Sequence, residues 1–169
     1  MSKLKLKKSP HEAFDESINI LIYDIEDAVT KMVIEPVKEL SYKESKEIPY
    51  WYFLIINSCT QTVLQLTDLL WIADNTKYFD IESFTRRTSH IIIKGIIEPL
   101  EKYQQEEKEN LSILDNFKLT IQLILNKFLN NLTNSHFAFF KSFEVILQTE
   151  KFISKEINQL EKLSIYPKT

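Results

Sequence analysis

Apolar residues recur along this chain at three- and four-residue steps, the period of helices that bury one face. Over residues 11–40 the stripe is Phe14, Ile18, Leu21, Ile25, Ala28, Met32 and Leu40, with Asp15, Asn19, Glu26, Lys31 and Lys38 between. Ser9-Pro10 suits its start, because a serine hydroxyl can cap an early amide and proline has no N–H to leave unmatched there. Pro36 falls inside the pattern and predicts a bend or an end near Glu35. A polar link, Ser41 to Glu47, leads to Pro49 and a second helix over about 50–73 with Ile55, Cys59, Val63, Leu66, Leu70 and Ala73 on one side. Asp74-Asn75 closes it, and Asp80 is a suitable cap for the next.

The third helix carries Ile81, Phe84, Thr88, Ile91, Gly95, Pro99 and Tyr103, then runs into the acidic stretch Gln104 to Glu109, read as a surface turn or exposed helix end. Leu114, Phe117, Ile121, Leu125, Phe128 and Leu132 mark a fourth helix. The cluster Asn130 to Ser135 is poor in helix formers and predicts a break before a fifth helix with Phe139, Phe143, Ile146, Ile153, Ile157 and Leu160. No glycine or proline lies between Leu100 and Tyr166, so one long continuous helix is the alternative.

Two segments repeat. Lys31-Met32-Val33-Ile34-Glu35-Pro36-Val37 matches Lys94-Gly95-Ile96-Ile97-Glu98-Pro99-Leu100, and upstream Phe14-Asp15-Glu16-Ser17 is similar to Phe79-Asp80-Ile81-Glu82-Ser83. Each copy enters a polar connection and then a second apolar helix. The expectation is a duplicated helical hairpin, packed about a pseudo-twofold axis with a proline bend at the same place in each copy.

Composition supports the same class. Gly95 is the only glycine, and tight hairpins or phosphate-cradling loops need residues that accept positive φ. The expected fold is therefore all-α: a four- to five-helix antiparallel bundle, residues 11–165 forming one domain after a basic, flexible tail over 1–10. That tail holds Lys3, Lys5, Lys7 and Lys8 and no acid, which leaves the body acidic and disfavours duplex binding. Cys59 is the only cysteine, the N-terminus has no signal-peptide core, and the apolar run Tyr50 to Ile56 is far short of the roughly 20 residues that span a bilayer. A cytoplasmic protein is expected.

Candidate chemistry concentrates in one segment. Thr85 to His90 and Lys94-Gly95 hold both arginines, one of three histidines and the only glycine, and helical spacing puts Arg87, His90, Lys94 and Glu98 along one face with Arg86 beside it. Arg86 and His90 resemble the pair of HEPN-type metal-independent ribonucleases, yet only three residues separate them, closer than that pattern requires. His90, Lys94 and Gly95 resemble the histidine phosphotransfer bundle, one residue out of step and with Ile91, Ile92 and Ile93 crowding the histidine. Solvated side chains, with Lys94–Glu98 and Lys31–Glu35 as matching i,i+4 pairs and Gly95 allowing two helices to cross closely, explain the segment more simply. His11, His90 and His136 are scattered and no glutamate stands three residues before a histidine, so no metal or cofactor is expected.

The aromatics exceed what one core stripe can hide. Tyr50, Trp51, Tyr52 and Phe53 are consecutive and point all round a helix, and Phe137, Phe139, Phe140 and Phe143 form a second cluster. They predict a second buried surface, a protein partner or another copy of the chain. The functional expectation is a non-catalytic interaction or regulatory module. The alternative is an RNA-processing or phosphotransfer bundle that uses Arg86, Arg87, His90 and Lys94.

Overall fold

The structure, a computed structural model, describes residues 9–44, 47–107 and 112–136. Helix makes up 92% of these residues, and no strand occurs among them. Helix α1 (Pro10–Val29) passes through a π turn (Thr30–Ile34) into α2 (Glu35–Glu44), forming one rod. Helix α3 (Tyr50–Asn75) is the second rod, α4 (Ile81–Ile92) with a second π turn (Ile93–Ile97) and α5 (Glu98–Glu107) the third, and α6 (Ser112–His136) the fourth.

The caps form where the sequence places them. The Ser9 side chain accepts from the Glu12 amide at 3.2 Å, and Asp80 Oδ1 accepts from the Glu82 amide at 3.3 Å. Neither internal proline ends its rod. Its ring would collide with the carbonyl four residues back, that of Met32 or of Gly95, if the turn were ordinary α. In both rods that carbonyl lies inside the π turn, where the amides of Glu35 and Glu98 instead reach back five residues, to the carbonyls of Thr30 and Ile93. The wider turn takes up the proline and lets the helix continue.

The turn also repairs the burial pattern. Leu21, Ile25, Val29, Val33 and Val37 are buried at steps of four, as are Phe84, Thr88, Ile92, Ile96 and Leu100. At 100° per residue an α-helix would drift about 40° per step and carry these side chains out of the core. One turn with an extra residue returns them to it. The third-helix stripe read from the sequence is corrected accordingly: past the midpoint Ile92, Ile96 and Leu100 are interior, whereas Ile91, Gly95 and Pro99 are half-buried. Leu40 is likewise exposed rather than core.

The rods run up and down. His11 at the start of α1 meets Asp74 at the end of α3, Tyr50 at the start of α3 meets Tyr103 in α5, and Gln104 in α5 donates to Asp115 in α6 at 2.8 Å. Rod one packs on α3 and α6, which in turn pack on rod three. One end of the core is an aromatic knot in which Phe14 lies 5.4 Å from Phe79, 5.7 Å from Phe84 and 6.3 Å from Phe128. Helix α6 passes through Asn130 to Ser135 to His136 without the expected break. Propensity costs of less than about 0.7 kcal/mol per residue yield there to the burial of Phe128, Leu129 and Leu132. The expected fifth helix and residues 1–8 of the expected tail over 1–10 lie outside the described residues, whereas Ser9 caps α1 and Pro10 begins it.

At one point the backbone of the third rod lies directly against a side chain of α3. A Cβ placed on Gly95 would collide with Thr62 Oγ1 of α3, and Thr62 is fully buried. Gly95→Ala is therefore expected to lower the thermal midpoint, since overpacking costs about 1–3 kcal/mol against a helix-propensity gain of about 1 kcal/mol. In the Gly95→Ala/Thr62→Ala double variant the loss should shrink, because the colliding hydroxyl is gone. Thermal melts of the four-member cycle check this, and additive losses would place the strain elsewhere.

Candidate functional site

The expected Arg-His-Lys face exists as a row of exposed side chains along α4 and its π turn. Arg86 reaches Glu82 at 3.4 Å, and the Arg87 guanidinium lies 5.2 Å from the centre of the Phe84 ring. Lys94 pairs with Glu98 at 3.0 Å. In the other copy Lys31 turns back to Asp27 at 3.2 Å, not forward to Glu35 as the repeat suggests. His90 is solvent-exposed, with neither arginine within hydrogen-bond reach of it among the described residues. The row thus consists of separate local contacts, Arg86 with Glu82, Arg87 with Phe84 and Lys94 with Glu98.

The aromatic run divides as a helix face must. Trp51 and Tyr52 are half-buried against the core, whereas Tyr50 and Phe53 face solvent. Phe137, Phe139, Phe140 and Phe143 lie outside the described residues. Further along α3, Leu64 is 54% exposed and Trp71 66% exposed, neither singled out from the sequence. Phe53, Leu64 and Trp71 fall on one stripe, since 18 residues is five whole α turns. Beside the stripe an open groove of about 370 Å³ runs between α1 and α3, lined by Ile25, Val29, Ile34, Ile56 and Val63 with Leu64 at its edge. Cys59 also borders it, and burial pushes its thiol up to about 12.

A third group was not expected. His11 and Asp15 stand one turn apart at the start of α1, and the end of α3 brings Asp74 against them. His11 Nε2 lies 3.1 Å from Asp74 Oδ1 and 3.9 Å from Asp15 Oδ1. The three side chains are each a third or more exposed, yet His11 Nε2 and Asp15 Oδ1 are themselves enclosed and unmatched by a hydrogen bond. Phe79 holds the imidazole edge-on, ring centres 5.2 Å apart. Asp15 is pushed up to about 6, first by burial and then by the adjoining Asp74 carboxyl, which accepts its proton and repels its charge; His11 pulls the other way. The i,i+4 spacing of His11 and Asp15 was visible in the sequence, but nothing local signalled Asp74.

No protein-family model, curated protein or solved structure matches the chain.

Two outcomes follow from the perturbed groups. Because the folded-state pKa of Asp15 lies above its unfolded value, its stabilising protonation is complete below about 4 and is lost as pH rises through about 6. In chelator-treated protein, Asp15→Asn should melt about 2–4 °C above wild type at pH 7.5, with the difference vanishing near pH 4; a pH-independent difference would contradict the assignment. Cys59 should ignore a disulfide reagent at pH 8 in the native state and react fully on unfolding, as a thiol-release assay would record.

Proposed function

We propose that this chain is a non-catalytic interaction module that pairs with a second copy of itself through the solvent face of α3. The observation that carries the reading is the makeup of that face. In the 26 residues of α3 the only charged side chains are Asp68 and Asp74, whereas charged residues are 27% of the chain. Exposed helix faces of monomers are ordinarily charged, and depletion of charge with enrichment of Trp, Tyr and Phe is the composition of an interface.

The molecule supplies its own comparison. A constant offset of 63 residues relates Pro36 to Pro99 and the first π turn to the second. The same offset pairs buried positions in both helices of the hairpin: Ile18, Leu21 and Val33 with Ile81, Phe84 and Ile96, and Ile55, Thr62 and Leu69 with Lys118, Leu125 and Leu132. Duplication of one hairpin is the reading these matches support, and it makes α6 the counterpart of α3. The upstream pairing of Phe14 with Phe79 does not share this register. On the solvent side, Phe53 corresponds to Asn116 and Leu64 to Lys127, which pairs with Asp24 at 3.0 Å. Among the described residues of α6 only Leu123 is a large exposed apolar side chain. The two helices carry similar numbers of charged residues, Asp68 and Asp74 in α3 against Asp115, Lys118 and Lys127 in α6, and differ in the large apolar side chains that α3 leaves exposed.

A second copy is the fitting occupant because twofold pairing sets a face against itself, and a face nearly free of charge meets no repulsion. Antiparallel pairing centred near Thr62 places Phe53 of each chain beside Trp71 of the other. What supports this over the RNA or phosphotransfer alternative is that Arg86 and Lys94 are already paired within their own rod.

Light scattering or sedimentation of the full chain should give a dimer, and Leu64→Glu or Trp71→Glu should give a monomer with unchanged melting. His90→Ala should leave the dimer intact. A wild-type monomer at high concentration would overturn the proposal, and so would a Leu64→Glu chain that melts well below wild type, since that would place the face under a part of the same chain.

A further inference from the structure

We propose that His11, Asp15 and Asp74 form a binding site for a first-row divalent cation that ties the start of α1 to the end of α3. Ligands bound to one such ion at 2.0–2.2 Å stand about 2.8–3.1 Å apart at octahedral angles and about 3.3–3.6 Å apart at tetrahedral ones. The observed 3.1 Å between His11 Nε2 and Asp74 Oδ1 falls in the octahedral range, the 3.9 Å to Asp15 Oδ1 needs only a small adjustment, and all three ligand atoms lie within 4.8 Å of one another.

A second observation points to an occupant. His11 Nε2 and Asp15 Oδ1 are enclosed and close together, and with Asp15 ionised no hydrogen-bond donor reaches either of them. Buried polar atoms are almost always satisfied, so two neighbouring exceptions are expected where a ligand completes the set. Contact between His11 and Asp74 is short without being aligned as a hydrogen bond, which is the arrangement of two donors beside a common acceptor of their lone pairs.

Chemistry selects the ion. Two carboxylates and an imidazole carry two negative charges, and a divalent cation neutralises them. Oxygen donors alone suit Mg²⁺ and Ca²⁺, whereas an imidazole nitrogen shifts preference to Zn²⁺, Mn²⁺ or Fe²⁺. Asp74 sits in the last turn of α3, whose carbonyl end adds negative potential. Partial exposure of the three side chains leaves positions for water on the ion and a path from solvent. Phe79 against His11 fixes the ring and screens one side.

The test uses the full chain, stripped with chelator and then titrated with Zn²⁺ alone and with Mn²⁺ alone. One equivalent should bind, seen by calorimetry, and the thermal midpoint should rise with concentration. Asp74→Asn removes a carboxylate from an exposed position without changing side-chain shape, and it should weaken binding at least tenfold, on the order seen when metal-site groups are lost. Asp15→Asn should do the same while remaining folded, and His90→Ala should bind as wild type does. Absence of saturable binding by either ion would overturn the site, as would binding unchanged in Asp74→Asn or stabilisation by Mg²⁺ alone.

Discussion

A proline in the middle of a helix has no hydrogen to donate and a ring that crowds the carbonyl four residues before it, and this chain places one in each of two rods. The rest of the bundle depends on how that is met. Had the helices ended at Glu35 and Glu98, Val37 and Leu100 would have lost their place in the core. A π turn before each proline removes the collision, keeps the rod continuous and corrects the drift of side chains spaced four apart. The irregular turn and the irregular hydrophobic spacing require each other. Spacing of four without the turn would carry the apolar stripe to the surface, and the turn without that spacing would misdirect a regular one.

Similar as the two rods are, the surfaces around their π turns differ in a way that side-chain size explains. Gly95 and Thr62 are both small, and there α3 packs closely on the second π turn. The positions related to them by the 63-residue offset are Met32 and Leu125. Two large side chains cannot approach as closely, and an open groove of about 370 Å³ lies between the first π turn and α6, bordered by Met32 and Ile124. The single glycine thus decides which of two related crossings is tight. The groove on the α1–α3 side is bordered by one charged residue, Glu26, and lies next to the exposed apolar stripe of α3, whereas Asp24, Asp27, Lys31 and Lys127 border the α6 groove.

Fold class was legible from sequence because its two signals are local: glycine is almost absent, and apolar residues repeat at helical period. Caps at Ser9 and Asp80 were legible for the same reason. The π turns were less so, although the run Leu21, Ile25, Val29, Val33, Val37 contains the sign of one. An unbroken series of fours before a proline asks for a turn that holds an extra residue. Propensity alone predicts a break at Asn130 to Ser135, because several modest penalties add up there. The burial of Leu129 and Leu132, which propensity does not register, carries the helix through.

Site residues were legible only in proportion to how local their grouping is. Arg86, Arg87, His90 and Lys94 stand close in sequence, and their proximity drew attention, but a helix surface keeps neighbours in sequence apart unless another element closes over them. His11, Asp15 and Asp74 show the reverse: a pair one turn apart gains its third member only because an up-and-down connection returns the end of α3 to the start of α1. Topology makes that juxtaposition, and Phe79 in the following link fixes the imidazole within it. The charge-poor face of α3 is intermediate. Its composition can be read directly, but its exposure becomes plain only once the fold has placed Ile55, Thr62, Leu66 and Leu69 inward and left Phe53, Leu64 and Trp71 outside. Where helix α6 meets the same packing demand it turns Asn116 and Lys127 to solvent, so the bundle itself does not require an apolar outer face. The difference between the two helices therefore lies on the side that folding leaves free, where a partner can act.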